Sequence, residues 1–460
     1  MSRGKAALEK GQLDDERELL LRLLEKEGLG PVNAEATDAA ARAQFFITQE
    51  PSSARPSIFP LSYPQEHLWF LQRFEPESNF YNVLAVWRIQ GELDLPKLEA
   101  SLEEVIWRHE ILRTCFVLGE DGQPRQKVVP ERVPIRLNLL DLSDADVNQR
   151  EGRAKRIVLE DGGKPFDLEQ LPLLRGGLVR LGEKDHILSL SMHHIICDEW
   201  SNAVLMDEWG RIYQAQTRNL ESPLPEPKLQ YGDYALEQRQ RVQQGNFAQQ
   251  MKYWKEQLKG MPHVLELPTD FARPRRQSFR GETEESKYSA ALLDGLNAIG
   301  RQERASSFMI LLAAFQVLLM RYSGQEDFGV GTPVANRKRR ETEGLIGFCL
   351  NTLVMRANLR GKMSFLEAVR QAREAALGGF EHQDLPFEKL VQELDPDRDV
   401  SRAPLFQTMF TVQGESDRLK FGELQVEEYN LDLPTSKFDL VMIVAEDGEG
   451  ATVQLNYATD

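Results

Sequence analysis

Two adjacent histidines, followed after three residues by two acidic residues, are the group in this sequence best suited to chemistry. His193 and His194 lie in the segment MHHIICDEWS, which also contains Asp198 and Glu199. An imidazole has an unperturbed pKa of about 6.5, so it can accept a proton or hold a hydrogen bond near neutral pH. The group therefore predicts proton-accepting or proton-steering chemistry. Three other interpretations stay open at this point: a packed histidine pair, a triad in which Asp198 orients a histidine, and a metal site.

A strand, a short turn and a helix must position these four residues. Apolar and small polar residues alternate over residues 188–193, which predicts a strand. Because neighbouring side chains on a strand project to opposite faces, we expect His193 and His194 to point in opposite directions. Apolar residues at helical spacing follow from Trp200 to Tyr213, with residues 195–199 as the turn. Loops at strand ends often display reactive groups, so this turn is the predicted site.

A metal site is the weakest of the alternatives. The pattern HHxxxDE lacks the two histidines four residues apart that zinc-binding helices use, and the only nearby cysteine, Cys197, lies inside the turn. The other two cysteines, Cys115 and Cys349, are far apart in sequence and form no CxxC pair, which predicts reduced thiols rather than disulfides. We therefore expect no metal in this protein.

Length and charge exclude several classes of function. The chain has 460 residues, more than the roughly 250–300 that one hydrophobic core accommodates, so two domains are expected. It carries 56 Lys and Arg against 72 Asp and Glu, and the net charge of −16 repels nucleic acid and anionic membranes. The longest apolar stretch, Phe308 to Met320, is too short to cross a bilayer, and the N-terminus has no apolar secretion signal. These features predict a cytoplasmic protein.

Five segments are expected along the chain. Residues 1–30 contain an amphipathic helix with a leucine face, which either caps the neighbouring domain or docks a partner protein. Residues 31–57 are rich in Ala, Ser, Thr and Pro and predict a linker. Two larger bodies, residues 58–215 and residues 229–460, are expected on either side of a proline-containing linker at residues 216–228.

The segment MHHIICDEWS resembles the HHxxxDG motif of condensation domains in nonribosomal peptide synthetases. Seven further segments resemble motifs of that family, and together they run from Leu61 to Phe410. In chain order the eight segments are LSYPQEHLWFL, RHEILRTCF, MHHIICDEWS, YGDYA, GTPVANR, IGFCLNTLVMR, HQDLPFEKLVQEL and RDVSRAPLFQTMF. Because all eight occur in the family's order, the sequence is identified as a member of this HHxxxD acyltransferase superfamily.

The resemblance implies a fold, a reaction and roles for the site residues. The implied fold is α/β, with two chloramphenicol-acetyltransferase-like lobes in a V-shaped pseudodimer around a central tunnel. The implied reaction is amide formation between a donor acyl thioester and the amine of an acceptor aminoacyl thioester. His194 is the implied catalytic residue and His193 the more structural one. Asp198 is expected to form a buried ion pair with Arg337 rather than to serve in a triad.

The resemblance also implies partners. Donor and acceptor carrier proteins each insert a phosphopantetheine arm, so the domain itself is expected to bind no obligatory cofactor. Because Met1 precedes the domain, we expect the donor carrier on another polypeptide, with the helix in residues 1–30 as the candidate docking element. The acceptor carrier is expected to follow in the same chain. Members of the family run further than Tyr457, so the resemblance implies that the lobe of residues 229–460 is truncated at its end.

Two residues of the motif depart from the family pattern. Glu199 stands where the motif has glycine, and Cys197 stands where serine is common. Glycine in a turn permits positive φ angles or close approach of another backbone, and glutamate provides neither easily. An alternative function therefore stays open: a condensation-like domain that forms no bond and recruits a tailoring enzyme. The intact His193, His194 and Asp198 favour the enzyme.

Overall fold

The computed structural model describes residues 55–394, 399, 401–413, 421–431, 433–447 and 450–460. The helix predicted in residues 1–30 and most of the linker predicted at residues 31–57 lie outside these ranges. The strands are β1 (Ile58–Pro60), β2 (Asn82–Gln90), β3 (Thr114–Leu118), β4 (Pro124–Val128), β5 (Leu137–Asp141), β6 (Leu174–Gly182), β7 (Asp185–His193), β8 (Gly281–Ser289), β9 (Asp327–Val334), β10 (Asn351–Asn358), β11 (Thr408–Gln413), β12 (Gln425–Glu428), β13 (Leu440–Asp447) and β14 (Gly450–Ala458). The helices are α1 (Tyr63–Phe74), α2 (Leu95–Arg108), α3 (Val147–Gly162), α4 (Glu199–Thr217), α5 (Tyr231–Gln243), α6 (Ala248–Gln257), α7 (Ala290–Glu303), α8 (Ser307–Ser323), α9 (Arg340–Glu343), α10 (Phe365–Glu381) and α11 (Phe387–Leu394).

The first lobe is built on a five-stranded sheet in the order β12-β2-β7-β6-β5. The central strand β7 is buried on both faces over residues 186–193. Leu188, Leu190 and Met192 pack into the large core that includes residues of α2 and α4, whereas Ile187 packs into a smaller core with residues of α3. The alternation predicted for this strand is therefore present, and it leads the chain directly to His193.

The second lobe is built on a six-stranded sheet in the order β10-β9-β11-β13-β14-β8. Helices α8 and α10 contribute residues to its core, together with the neighbouring strands β9 and β10. Among the described residues, no single helix is long and apolar enough to span a membrane; α7 and α8 meet that test only as a pair bent by 104°. Much of the apolar stretch at residues 308–320 lies in α8 and is buried in the core of this lobe.

Three segments of residues 229–460 pack into the first lobe. Helix α5 contributes Tyr231, Tyr234 and Ala235 to the first core, and the loop before β10 contributes residues 345–349. Strand β12 pairs antiparallel with β2 at the edge of the first sheet, with Gln425 opposite Gln90. The two lobes are therefore joined by shared core and shared sheet, and the boundaries expected at residues 216–228 stay a prediction.

A glycine is required where the loop before β10 meets α5. Gly347 has φ of +147°, and a Cβ built on it would lie 1.9 Å from the Tyr231 ring. The Tyr231 hydroxyl donates a 2.5 Å hydrogen bond to the carbonyl oxygen of Phe348. Because no larger residue fits there, Gly347 allows the loop to approach α5 closely enough to enter the first core.

Candidate active site

The predicted strand, turn and helix position the histidine pair. Strand β7 ends at His193, a 3₁₀ turn covers His194–Ile196, and α4 begins at Glu199. Asp198 is the N-cap of α4, and its carboxylate oxygen Oδ1 accepts a 2.9 Å hydrogen bond from the backbone N–H of Ser201. The cap fixes where the helix starts, so it also fixes the turn that holds His194.

His193 is a buried, neutral histidine. Its side chain has no exposed surface. Its Nδ1 accepts a 3.1 Å hydrogen bond from the backbone N–H of Ile195, so its Nε2 carries the proton and donates to Gln72 Oε1 at 3.2 Å. Burial lowers the pKa of His193 to about 3, assisted by the charges of His194 and Lys437. Both ring nitrogens are occupied, which suits the structural role expected for this residue.

His194 has one ring nitrogen occupied and one free. Its Nδ1 lies 2.7 Å from the carbonyl oxygen of Cys197, so Nδ1 carries the proton and Nε2 carries the lone pair. No hydrogen bond to Nε2 is formed by the part of the chain that the structure describes. The ring packs against Phe348 of the second lobe, 4.7 Å between centroids. Burial, and then the charge of Lys437, lower the pKa of His194 to about 4, so the imidazole is neutral near pH 7.

Asp198 pairs with Arg337 across the two lobes. Two parallel hydrogen bonds of 2.9 Å join the guanidinium to the carboxylate, and the side chains of Arg337 and Asp198 are only 1% and 2% exposed. The carboxylate also accepts from Ser201 Oγ at 2.7 Å and from the backbone N–H of Cys349 at 3.0 Å. Because the carboxylate is bonded to these groups and not to a histidine, the geometry is that of a brace and not of a triad.

The two residues that follow also reach the second lobe. The Glu199 carboxylate accepts a 2.9 Å hydrogen bond from Gln413 Nε2 at the end of β11, and Trp200 Nε1 donates at 2.8 Å to the carbonyl oxygen of Glu343. The Glu199 side chain reaches solvent, yet the surrounding protein desolvates it and, with Glu428 and Asp198, raises its pKa. Its carboxylate is therefore held at the joint between the lobes, with a partner other than His194.

Cysteine and metal chemistry have little support at this site. Cys197 is fully buried, and burial raises the pKa of its thiol far above the usual range. Its Sγ lies 3.6 Å from the carbonyl oxygen of His193, so it is a small packed side chain. Over the described ranges, no three His, Cys, Asp or Glu side chains are arranged as metal ligands.

Sequence reasoning missed three residues of the site: Ser201, Gln413 and Lys437. Ser201 carried a local signal, since a helix capped by Asp198 presents its third residue to the capping carboxylate. Gln413 and Lys437 come from loops and strand ends of the second lobe, more than two hundred residues away in sequence. Lys437 is one of the charges that lower the pKa of both histidines.

Most of this chain is similar in sequence to a known protein family and to parts of several much longer proteins. Residues 56–460 match the family described as the condensation domain. One of the linear gramicidin synthase proteins of Brevibacillus parabrevis is 44% identical over 411 residues, which are 88% of this chain and 8% of that protein. Surfactin synthase subunit 1 of Bacillus subtilis (strain 168) is 36% identical over 430 residues, 93% of this chain and 12% of that protein. The chain thus spans about a tenth of the length of these relatives.

Solved structures share the fold. The X-domain from teicoplanin biosynthesis superposes with a TM-score of 0.80 at 28% identity, covering 89% of this chain and 91% of that one. The first condensation domain of the calcium-dependent antibiotic synthetase, in complex with a substrate analogue, superposes with a TM-score of 0.74 at 21% identity, covering 87% and 91%. The α/β fold with two lobes that the sequence predicts is confirmed.

Proposed function

This chain belongs to the condensation domain family of nonribosomal peptide synthetases, and we propose that it joins a donor acyl group to the amine of an acceptor amino acid. Both substrates are held as thioesters on carrier proteins. The observation that carries the proposal is the state of His194: its Nδ1 is bonded to the Cys197 carbonyl, its Nε2 is free, and its ring is neutral. That nitrogen can accept a hydrogen from an attacking amine.

In the proposed reaction the acceptor amine attacks the carbonyl carbon of the donor thioester. A C–N bond forms and the carbonyl oxygen becomes the oxyanion of a tetrahedral intermediate. Its collapse breaks the C–S bond and releases the donor thiol. The amine gives up one proton and the departing sulfur receives one, so protons balance and no covalent bond to the enzyme is needed.

The pKa of His194 indicates which part of the reaction it assists. An unperturbed α-ammonium has a pKa of about 8, and that of His194 is about 4. Proton transfer from a free ammonium to His194 would therefore be uphill by about 5 kcal/mol. His194 instead accepts a hydrogen bond from the neutral amine and takes its proton as C–N bond formation makes it acidic. Holding both substrates together supplies up to roughly 7–11 kcal/mol more.

The proposed function requires partner proteins and a cellular location. The donor and acceptor carrier proteins supply the phosphopantetheine arms, and the domain itself holds no obligatory cofactor or metal. The proposed location is cytoplasmic, and the net charge of −16 disfavours binding to nucleic acid and anionic membranes. Asp198 and Arg337 keep the turn in place and do not touch the substrates.

Intact-protein mass spectrometry tests this function. Donor and acceptor carriers, loaded in turn with a panel of acyl groups and amino acids, are mixed with the domain. We expect the acyl mass to leave the donor and appear on the acceptor. His194→Ala is the matched control, since it removes Nε2 and leaves the Asp198–Arg337 pair. Absence of product with every pair would contradict the proposal.

A second candidate is a platform that recruits a tailoring enzyme and forms no bond. Two observations favour it. Glu199 replaces the glycine of the family's motif, and the X-domain from teicoplanin biosynthesis, solved in complex with OxyB, superposes on 89% of this chain with a TM-score of 0.78 at 28% identity. The retained His193, His194 and Asp198 support the enzyme over the platform.

Glu199→Gly separates the two candidates. For an enzyme we expect activity similar to or lower than that of the wild type, because the carboxylate is already held by Gln413. For a blocked platform, product appears only in the variant, since the negative charge opposing the oxyanion is gone. Gln413→Ala is the control, because it removes the hydrogen bond and keeps the charge.

A further inference from the structure

A lysine of the second lobe lies beside the histidine turn. The ammonium of Lys437 is 5.6 Å from the centroid of the Tyr81 ring and 5.8 Å from that of Phe80. The carbonyl oxygen of Tyr81 accepts a 2.7 Å hydrogen bond from the backbone N–H of His194. The Tyr81 ring lies 6.4 Å from the ring of His193. Tyr81 thus contacts the cation and both histidines.

The loop that carries Lys437 is fixed. The backbone N–H of Ser436 donates to the carbonyl oxygen of Phe279 at 2.8 Å, and Ser436 Oγ donates to that of Phe438 at 2.8 Å. Gln277 Nε2 donates to the carbonyl oxygen of Lys437 itself at 3.1 Å. Anchors on both sides of the residue therefore hold its backbone beside the histidine turn.

Lys437 is a partly buried cation that has no carboxylate partner among the described residues. Among the described residues, no carboxylate lies within 4 Å of the Lys437 Nζ. The ammonium instead makes cation–π contacts with the rings of Phe80 and Tyr81. Burial lowers the pKa of Lys437 to about 8. His194 is faced by Lys437 from the second lobe, by Asp198 and Cys197 from its own turn, and by neighbouring His193.

We propose that Lys437 is a positioning residue for condensation, whose ammonium beside the histidine turn disfavours a positive charge on the His194 imidazole and on the acceptor amine. The inference rests on the proposed function. A cation close to a second ionisable nitrogen disfavours a second positive charge, so His194 keeps its lone pair and the acceptor amine stays nucleophilic. The same charge favours the oxyanion that forms on the donor carbonyl.

Histidine NMR tests the electrostatic part without any substrate. The Nε2 and Cε1 resonances of His194, assigned by their loss in His194→Ala, are followed against pH in the full chain. In Lys437→Met we expect the pKa of His194 to rise by about one unit. In Lys437→Arg, which keeps the charge, it should stay low. Lys389→Met is the matched control, since that ammonium also lies over a ring, 4.7 Å from the Tyr63 centroid.

The activity arm follows product formation against pH. In Lys437→Met we expect the acid limb to move to higher pH by about one unit, together with the NMR titration. Near pH 7, where His194 is neutral in both proteins, we expect the rate to fall at least about tenfold because the acceptor amine and the oxyanion lose the nearby positive charge, with Lys437→Arg restoring much of it. An unchanged His194 titration in Lys437→Met overturns the inference, as does equal loss of activity in the Met and Arg variants. Should the Met variant not fold, Lys437→Gln replaces it. A wild-type domain without product would contradict the proposed function, and the titration is independent of that result.

Discussion

Breaking the Asp198–Arg337 pair should lower the free energy of unfolding more than breaking an equally short ion pair on the surface. In Asp198→Ala the guanidinium loses both 2.9 Å bonds while its side chain is 1% exposed, and it keeps only uncharged acceptors such as Ser201 Oγ and the carbonyl oxygen of Leu345. We expect a loss of about 3–5 kcal/mol in the free energy of unfolding. In Arg337→Ala the Asp198 carboxylate keeps its hydrogen bonds from Ser201 and Cys349. For this variant we therefore expect a loss near the lower end of the same range, about 3 kcal/mol.

A double-mutant cycle by chemical denaturation measures the coupling. The double variant leaves no stranded charge, so its loss should be smaller than the sum of the two single losses by about 2–3 kcal/mol. Arg339 and Glu237 provide the control: their two bonds of 2.7 and 2.9 Å match in length, but the side chains are 48% and 38% exposed. Their coupling should be about 0.2–1 kcal/mol. Additivity at Asp198–Arg337 to within about 0.5 kcal/mol would refute the reasoning.

Three further predictions concern the same turn and its neighbours. His194→Ala should keep its melting temperature and lose most product in the carrier assay, whereas His193→Ala should melt earlier; an active, well-folded His194→Ala would contradict the assignment. Because the pKa values of His193 and His194 lie at about 3 and 4, between these values and pH 6.5 only the unfolded chain binds the protons. Stability should therefore fall by about 1.4 kcal/mol per pH unit for each histidine as pH is lowered from about 6.5, down to about pH 4 for His194 and about pH 3 for His193. Urea melts of His193→Asn should show a flatter slope. Gly347→Ala should destabilise by more than about 2 kcal/mol, because its Cβ would meet the Tyr231 ring, while Gly344→Ala, with open space around it, should melt as the wild type does.

The sequence was most informative where structure is local. Strand β7, the turn and α4 follow from alternation and helical spacing over about thirty residues, and the burial of both faces of β7 agrees with them. The partnership of Asp198 with Arg337 came from the family resemblance, since no periodicity connects residues 139 positions apart. Lys437 and Gln413 could not be predicted, because their place in the site depends on how the second sheet packs against the first lobe. Strand β12 has only four residues, which is too short for a distinctive pattern.

The position of β12 has a consequence for the order in which the protein can fold during synthesis. Its partner β2 ends at Gln90, and β12 begins at Gln425, so more than three hundred residues must be translated between them. At roughly 5–20 residues per second, the outer edge of β2 stays without its neighbour for roughly 20–70 s. Unpaired edges invite pairing with other chains. We therefore expect a fragment ending near residue 215 to aggregate, and ribosome-bound chains to complete their first sheet only after the second lobe has largely emerged.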